Sequence, residues 1–320
     1  MANKNVIWCD KKTLEKDLSG NIYIVTGANS GVGLETTKQL VKQGAHVIMA
    51  CRRVDDGEEK AKAFSDAKGS YEVMKVDFAD LQSIRKFSEQ FLNKHDHLNG
   101  LMCNAGAIFQ DKEAKYTKDG LEMSIGVSYF GHFLLTELLL DILKKSAPAR
   151  VGILSSVGHA GSPKNRYKIH FDDIDWKKRK YNGIDAYCEA KVAANLYAME
   201  LAERLKDTGV STASIHPGWA RSNFGGNGLM MKAVRIVLSP FQNYITNSNE
   251  ESAQTSLHCL LSDDAPKHSG AYFSQHSVLY RDKECRKGGW PMTSPNPHAR
   301  DMDDAKKLVA LSRKLTGLEN

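Results

Sequence analysis

Residues 21–33 read NIYIVTGANSGVG, an apolar run that breaks into three glycines just ahead of a helix-like segment. Ile22, Ile24 and Val25 suit a buried strand, because β-branched side chains fit the pleat and no charge interrupts them. From Leu34 the apolar spacing becomes helical through Thr37, Leu40 and Val41, and it stops at Gly44, where a helix is expected to cap. Gly27, Gly31 and Gly33 therefore sit in a strand-to-helix turn with the spacing G-x-x-x-G-x-G. Backbone without a Cβ lets an anion approach the helix N-terminus, where free N–H groups and the helix dipole favour negative charge. A tight structural turn and a pyrophosphate site both fit these glycines taken alone.

The next strand, over 46–50, runs into Cys51, Arg52 and Arg53. In a dinucleotide-binding βαβ unit the ribose lies at that point, where a carboxylate binds a 2′-hydroxyl and an arginine suits a 2′-phosphate. Two arginines and no acid there argue for NADP over NAD.

A chain of 320 residues can bury one sizeable α/β core, and no internal repeat or low-complexity linker divides it. We read one NADP-binding domain over 21–275, an N-terminal extension over 1–20 and a C-terminal extension over 276–320. Residues 1–20 are polar, and no stretch approaches the ~18 apolar residues of a membrane span. The six cysteines, Cys9, Cys51, Cys103, Cys188, Cys259 and Cys285, form no CxxC pair, which predicts reduced thiols and a cytoplasmic protein. The eleven histidines show no zinc-ligand spacing, so no metal is expected. With a net charge of +6 and neither a basic helix nor an aromatic ladder, nucleic acid is not an expected partner. The densest basic patch, KKRK at 177–180, reads as a solvated loop or as a surface attracting an anionic substrate or membrane.

A charged helix is expected over 55–67 and a third strand over 71–76. That strand ends in Asp77 and Phe78, beside the adenine in a Rossmann sheet. Asp77 either accepts the ring's amino hydrogens or, like Asp80, caps the helix carrying Leu81, Ile84 and Phe87. A fourth strand over 98–103 runs into Asn104, Ala105 and Gly106, small enough for a cofactor to cross the sheet edge. A long helix over 121–145 and a fifth strand over 150–154 follow, the strand ending in Ser155 and Ser156. Tyr187 and Lys191 share one helix face. The repeated strand–helix alternation predicts an α/β fold with a Rossmann-type, doubly wound parallel sheet in a single domain.

TGANSGVG, the Asn104-Ala105-Gly106 triplet, Ser156, the Tyr187-x-x-x-Lys191 pair and Pro217-Gly218 together resemble, in order, the motifs of the short-chain dehydrogenase/reductases over about residues 20–275. HVIMACRR, GHFLLTELLLDILKK, AYCEAKVAANL and ESAQTSLHCLL resemble the retinol dehydrogenase branch and its relative protochlorophyllide reductase, both users of NADP. The resemblance implies cofactor contacts by Gly27, Asn29, Ser30, Gly31, Val32, Gly33, Arg52, Arg53, Asp77, Phe78, Asn104, Ala105, Gly106, Tyr187, Lys191, Pro217 and Gly218. It is also compatible with a homodimer.

Hydride transfer to a carbonyl leaves an alkoxide that needs a proton and hydrogen bonds as charge develops. A tyrosine with a pKa of about 10 is a poor acid near neutrality. A lysine charge about 4 Å away is worth at most ~4 kcal/mol, so Lys191 is placed to lower the pKa of Tyr187. The resemblance then implies Tyr187 as general acid, Lys191 as its tuner and a ribose ligand, and Ser156 as hydrogen-bond donor to the carbonyl oxygen, with Ser155 an alternative. One position departs. Where the family carries Asn in a sequence like G-V-N-H-L-G-H-F, this chain has Ser128 in GVSYFGHF. Ser128 lacks the amide's reach, which keeps open a dinucleotide-binding regulator or scaffold with weak catalysis.

The insert between Ser156 and Tyr187 contains Phe171, Trp176 and Tyr181. After Gly218 come glycines and an apolar, methionine-containing helix that suit a mobile lid over about 220–246 and a lipophilic substrate. Leu229, Met230, Val234 and Ile236 with Lys232 and Arg235 would allow weak, peripheral membrane-surface contact. In the tail, GGWPMTSPNPHAR should be extended, and a last helix over 301–315 should pack Leu308, Leu311 and Leu315 on one face. Tyr280 and Trp290 either close the substrate pocket or pack against the body. The expected activity is NADPH-dependent reduction of a lipophilic aldehyde or ketone, reversible as alcohol oxidation. A tetrapyrrole-like substrate would imply a light-driven step.

Overall fold

The computed structural model describes residues 6–220, 246–275 and 289–318. Its strands are β1 Ile22–Thr26, β2 His46–Cys51, β3 Ser70–Lys75, β4 Gly100–Cys103, β5 Ala149–Leu154, β6 Val210–His216 and β7 Tyr272–Ser274. They form one sheet in the order β3-β2-β1-β4-β5-β6-β7, with every neighbouring pair parallel. Chain order reverses between β1 and β4, and in such sheets the crevice at the carboxyl ends beside the reversal receives ligands.

The central strands β1 and β2 are apolar on both faces because both are covered. Ile22 and Ile24 point into a core with Ile84, Phe87, Phe133 and Leu196. Tyr23 and Val25 point into a second core with Leu40, Val41, Leu257 and Phe273. Alternation along β1 thus divides the interior into two layers.

The helix after β1 spans Gly31–Lys42, beginning ahead of the apolar periodicity, and Gly44 follows it with φ +101°. The charged helix is shorter than expected, Val54–Ala61. It tightens into a 3-10 turn, Lys62–Phe64, that brings Phe64 edge-on to Tyr71 at 5.5 Å. The single helix expected over 121–145 is segmented into Met123–Ile125, a π-helical turn Gly126–Phe130, Gly131–Leu138 and Leu140–Lys145. The break falls at Leu139, whose φ −100° and ψ 6° leave the helical range. The helix of Tyr187 and Lys191 runs Gly183–Arg204, with the Asn182 side chain accepting from the Ile184 and Asp185 amides.

The C-terminal helix, Met302–Thr316, buries Ala305, Leu308, Val309, Ser312 and Thr316. Leu311 and Leu315, expected to share a packed face with Leu308, are half-buried, and Leu315 packs against the edge of the core. Ser312 and Thr316 are more deeply buried because each hydroxyl donates to the carbonyl one turn back, at 2.7 Å, and so enters the interior satisfied. The helix is tied to the body through Glu137, which accepts from Tyr197, Arg204 and Arg313.

Two surface readings change. In the KKRK patch Arg179 is not a solvated charge: it joins Asp173 and Glu189 and lies 3.8 Å over the Trp176 ring. Lys177 pairs with Asp175. The aromatics of the insert are also committed: Phe171 lies under Lys307, and Tyr181 donates to Glu122 at 2.9 Å. Trp290 packs on the body, its Nε1 donating to the Ser274 carbonyl and its ring 4.4 Å from that of His258. The expected lid and its apolar helix, Tyr280 and Cys285 lie outside the described residues. The described cysteines are all buried and unpaired with one another.

Candidate active site

The glycine turn is built by close approach. Gly27 and Gly31 have φ of +65° and +57°, a region in which a Cβ is strained. A Cβ on Gly33 would stand 2.5 Å from Asn104 Nδ2 and 2.6 Å from the Gly27 carbonyl oxygen, so only glycine lets turn, helix and β4 end meet. The Ala28 and Asn29 amides are directed to the Cys51 sulfur, whose pKa burial pushes up to about 11. Ser30 caps the helix by position, but its side chain makes no capping hydrogen bond. The first-turn amides beginning with Val32 are therefore available to an anion, which fits the pyrophosphate of a dinucleotide.

At the end of β2 both arginines are exposed. Arg53 forms an ion pair with Asp56, whereas Arg52 has no ion-pair partner among the described residues. Asp80, not Asp77, caps the Leu81–Lys94 helix. The Asp77 carboxylate instead accepts from the Ala79 amide at 3.0 Å. The Phe78 side chain is buried on the His132 ring, with centroids 4.3 Å apart.

Thr26, which sequence reasoning passed over, connects these parts. Its hydroxyl oxygen accepts from the Asn104 and Ala105 amides, both at 2.8 Å, and Asn104 Nδ2 donates to the Thr26 carbonyl. With its lone pairs used, the hydroxyl donates to His132 Nε2 at 2.9 Å. Burial pushes the His132 pKa down to about 3, so the neutral imidazole carries its hydrogen on Nδ1. Threonine ahead of the first glycine is the signal that marks this hub.

The carboxyl ends of β4 and β5 bring Gly106, Ser128, Ser156, Tyr187 and Lys191 together. A side-chain hydrogen bond joins Ser156 to Tyr187. Ser156 also accepts from the Gly158 amide, opening the 3-10 turn Val157–Ala160. Ser155, the alternative, instead buries its hydroxyl and donates to the Lys191 carbonyl at 3.1 Å. Lys191 Nζ donates to the Leu154 carbonyl at 2.8 Å and lies 5.4 Å from the Tyr187 ring centroid. A Cβ on Gly106 would stand 3.2 Å from Ser128 Oγ and 3.6 Å from Lys191 Nζ, which places both beside the same α-carbon. Ser128 lies in the π turn, is buried, and its hydroxyl has no hydrogen-bond partner among the described residues.

The charges depart from the simple expectation. Burial raises the Tyr187 pKa well above the ordinary tyrosine value, and the Ser156 hydrogen bond opposes it. Burial also pushes Lys191 down to about 7. Desolvation is the largest cause of both shifts, and it disfavours the charged form of each group. Glu189, two residues beyond Tyr187, is pushed up to about 7 by burial against the pull of Arg179.

His159, Ser294 and Asn296 form a further support that no spacing announces. His159 Nδ1 donates to the Ser156 carbonyl, and the Ser294 hydroxyl donates to Nε2 at 2.7 Å. Asn296 Nδ2 donates to the carbonyls of His159 and Tyr167, both at 2.7 Å. Beyond β6, Gly218 has φ +84°, and a Cβ there would stand 2.2 Å from Asn247 Nδ2. Pro217 thereby leads a turn closed against residue 247.

A family profile described as short chain dehydrogenase matches residues 21–166. Human retinol dehydrogenase 11 is 40% identical over 273 residues, covering 84% of this chain and 81% of that protein. Bovine retinol dehydrogenase 12 is 41% identical over 305 residues, covering 94% and 88%. Among solved structures, an uncharacterized protein from Mycobacterium paratuberculosis matches with a TM-score of 0.71 at 28% identity, covering 94% of this chain and 95% of that one. The Pseudomonas aeruginosa RhlG/NADP active-site complex matches with a TM-score of 0.63 at 21% identity over 81% of this chain and 95% of that one, a likeness of fold alone. The chain belongs to the short-chain dehydrogenase/reductases, in the retinol dehydrogenase branch, and is an oxidoreductase that transfers hydride with a nicotinamide dinucleotide.

Proposed function

We propose that the chain is an NADPH-dependent reductase of lipophilic aldehydes or ketones, reversible as an alcohol dehydrogenase. The observation that carries this reading is the convergence of Ser156, Tyr187 and Lys191 below a glycine turn followed by Arg52 and Arg53. The dinucleotide, when bound, supplies or accepts the hydride. The amides opening the Gly31–Lys42 helix would hold its pyrophosphate, and Arg52 its 2′-phosphate.

The chain's own residues handle the proton and the oxygen. Ser156 orients the Tyr187 hydroxyl and donates to the carbonyl oxygen. Tyr187, kept un-ionised by burial, gives its proton to the developing alkoxide. Lys191 Nζ, held by the Leu154 carbonyl, compensates charge appearing on Tyr187 and binds on the ribose side. The buried surroundings exclude competing water, which strengthens each of these interactions.

A lipophilic substrate is supported by the relatives' names, which refer to retinol, an apolar alcohol. Two exposed apolar side chains also flank the site in sequence: Ile184, just before Tyr187 on its helix, and Trp219, after Gly218. The proposal includes cytoplasmic residence with peripheral membrane-surface contact. No described helix is long and apolar enough to cross a membrane. The deciding experiment is NADPH oxidation against a panel of retinoid, steroid, fatty, quinone and tetrapyrrole carbonyls, in darkness and in light. Dark turnover of an apolar aldehyde or ketone supports the reading. Turnover of polar carbonyls alone overturns the substrate class, and none at all favours a dinucleotide-binding regulator.

A further inference from the structure

The opposite end of the sheet carries a second cluster with its own chemistry. His46 opens β2, Glu72 lies near the start of β3, and His95 follows the Leu81–Lys94 helix. These are the amino ends of the strands, whereas Tyr187 and its neighbours gather at the carboxyl ends. One ligating atom from each of the three residues lies within 4.8 Å of the others.

Each ring is positioned. His46 Nδ1 is 2.7 Å from the hydroxyl of Ser70, its register partner on β3, which leaves Nε2 for another ligand. His95 stacks on Phe91, with centroids 4.8 Å apart and planes at 28°. Its Nε2 is sealed from solvent and has no hydrogen-bond partner among the described residues. The Glu72 carboxylate is 3.6 Å away, beyond hydrogen-bonding reach. A buried nitrogen left in that state is destabilising until a partner or ligand satisfies it. Burial lowers the pKa of both imidazoles, with the Glu72 carboxylate opposing it, and so favours the neutral form that a ligand needs.

We propose that His46, Glu72 and His95 bind one divalent transition ion of the zinc class, clasping β2, β3 and the end of the Leu81–Lys94 helix. Two imidazoles and one carboxylate are a zinc donor set, and water completes the tetrahedron. Bond lengths of about 2.0–2.2 Å require the ligating atoms to approach by roughly 1 Å from their present separations, within reach of side-chain adjustment. Lys94 Nζ, 2.7 Å from Glu72 Oε2, is the cation that the metal must displace. Serine to histidine to metal repeats the usual arrangement in which an outer hydrogen bond fixes the ligating tautomer.

The test uses the full chain without an affinity tag, stripped by chelator and titrated calorimetrically with zinc, with cobalt as spectroscopic probe. One equivalent of zinc should bind and raise the unfolding temperature. His95→Asn and His46→Asn should weaken binding at least ~10-fold, and Ser70→Ala should weaken it about 10-fold through the freed His46 ring. Lys94→Ala should tighten binding, whereas a cluster held only by its own ion pair would lose stability and gain no metal. If a histidine variant does not fold, Lys94→Ala and Glu72→Gln carry the test, with opposite expected shifts. No uptake, uptake indifferent to these variants, weaker binding in Lys94→Ala, or cobalt spectra dominated by thiolate charge transfer would each overturn the proposal.

Discussion

His159 connects Ser156 to Ser294: its Nδ1 donates to the Ser156 carbonyl and its Nε2 accepts from the Ser294 hydroxyl at 2.7 Å. Burial pushes the His159 pKa down to about 4, so the ring stays neutral and its two nitrogens keep these unlike roles. The C-terminal extension thereby sets the strand end from which Ser156 meets Tyr187. Ser294→Ala leaves Nε2 buried without its donor, at a cost of about 1–3 kcal/mol. We expect a lower unfolding midpoint in denaturant and a lower kcat, with cofactor affinity unchanged. Wild-type stability and kcat in this variant would remove the tail from the account of the site.

Arg52 and Arg53 are not equivalent, because Asp56 already engages Arg53. A charge-assisted contact to a 2′-phosphate is worth ~1.5–3 kcal/mol, or about a 10- to 150-fold preference for NADPH over NADH. Arg52→Ala should lose most of that preference and Arg53→Ala less of it. Calorimetric titration with both cofactors checks this; equal affinities in the wild type, or a larger loss at Arg53, would contradict it.

Ser128 leaves its buried hydroxyl unpartnered beside Gly106 and Lys191. Ser128→Asn extends an amide toward Lys191, where glycine leaves space. Turnover should be unchanged or higher, with cofactor affinity retained. A fall beyond about 10-fold at constant affinity would show that the serine itself is required, since ordinary overpacking registers in stability.

Acid should destabilise the fold through buried histidines. Burial pushes His132, His159 and His216 down to about 3, 4 and 3. Between the unfolded value near 6.5 and these folded values, the unfolded chain binds protons that the folded chain refuses. Stability is therefore present above pH ~6.5 and falls as pH drops through that window, by up to ~1.4 kcal/mol per unit for each histidine. His97, raised chiefly by its hydrogen bond to Asp96, acts in the opposite sense. Denaturant unfolding from pH 7 to 4 should show the decline, and His216→Gln should reduce its slope. An unchanged slope in that variant would mean that His216 titrates normally.

Much of the fold was legible because a parallel sheet covered on both faces demands uninterrupted apolar strands, as in β1 and β2. Tyr187 and Lys191 were legible because helical spacing alone puts them on one face. Thr26 and His132 were not, since a buried hydroxyl and imidazole show their purpose only when the Asn104 and Ala105 amides arrive beside them. Ser294 lies 135 positions from His159, so no local pattern could join them. The His46, Glu72 and His95 cluster is likewise assembled by strand register and a helix end. The deeper burial of Ser312 and Thr316 than of Leu311 was not legible, because their hydroxyls are satisfied within the helix and apolarity alone does not show that.

The central claim is that Tyr187 supplies the proton, and Tyr187→Phe tests it most directly by removing the hydroxyl while retaining the ring. Single-turnover and steady-state reduction of the best dark carbonyl substrate should be measured beside NADPH titration. The account predicts NADPH affinity close to wild type and kcat lower by about 10²- to 10⁴-fold. An unimpaired kcat in Tyr187→Phe would contradict it.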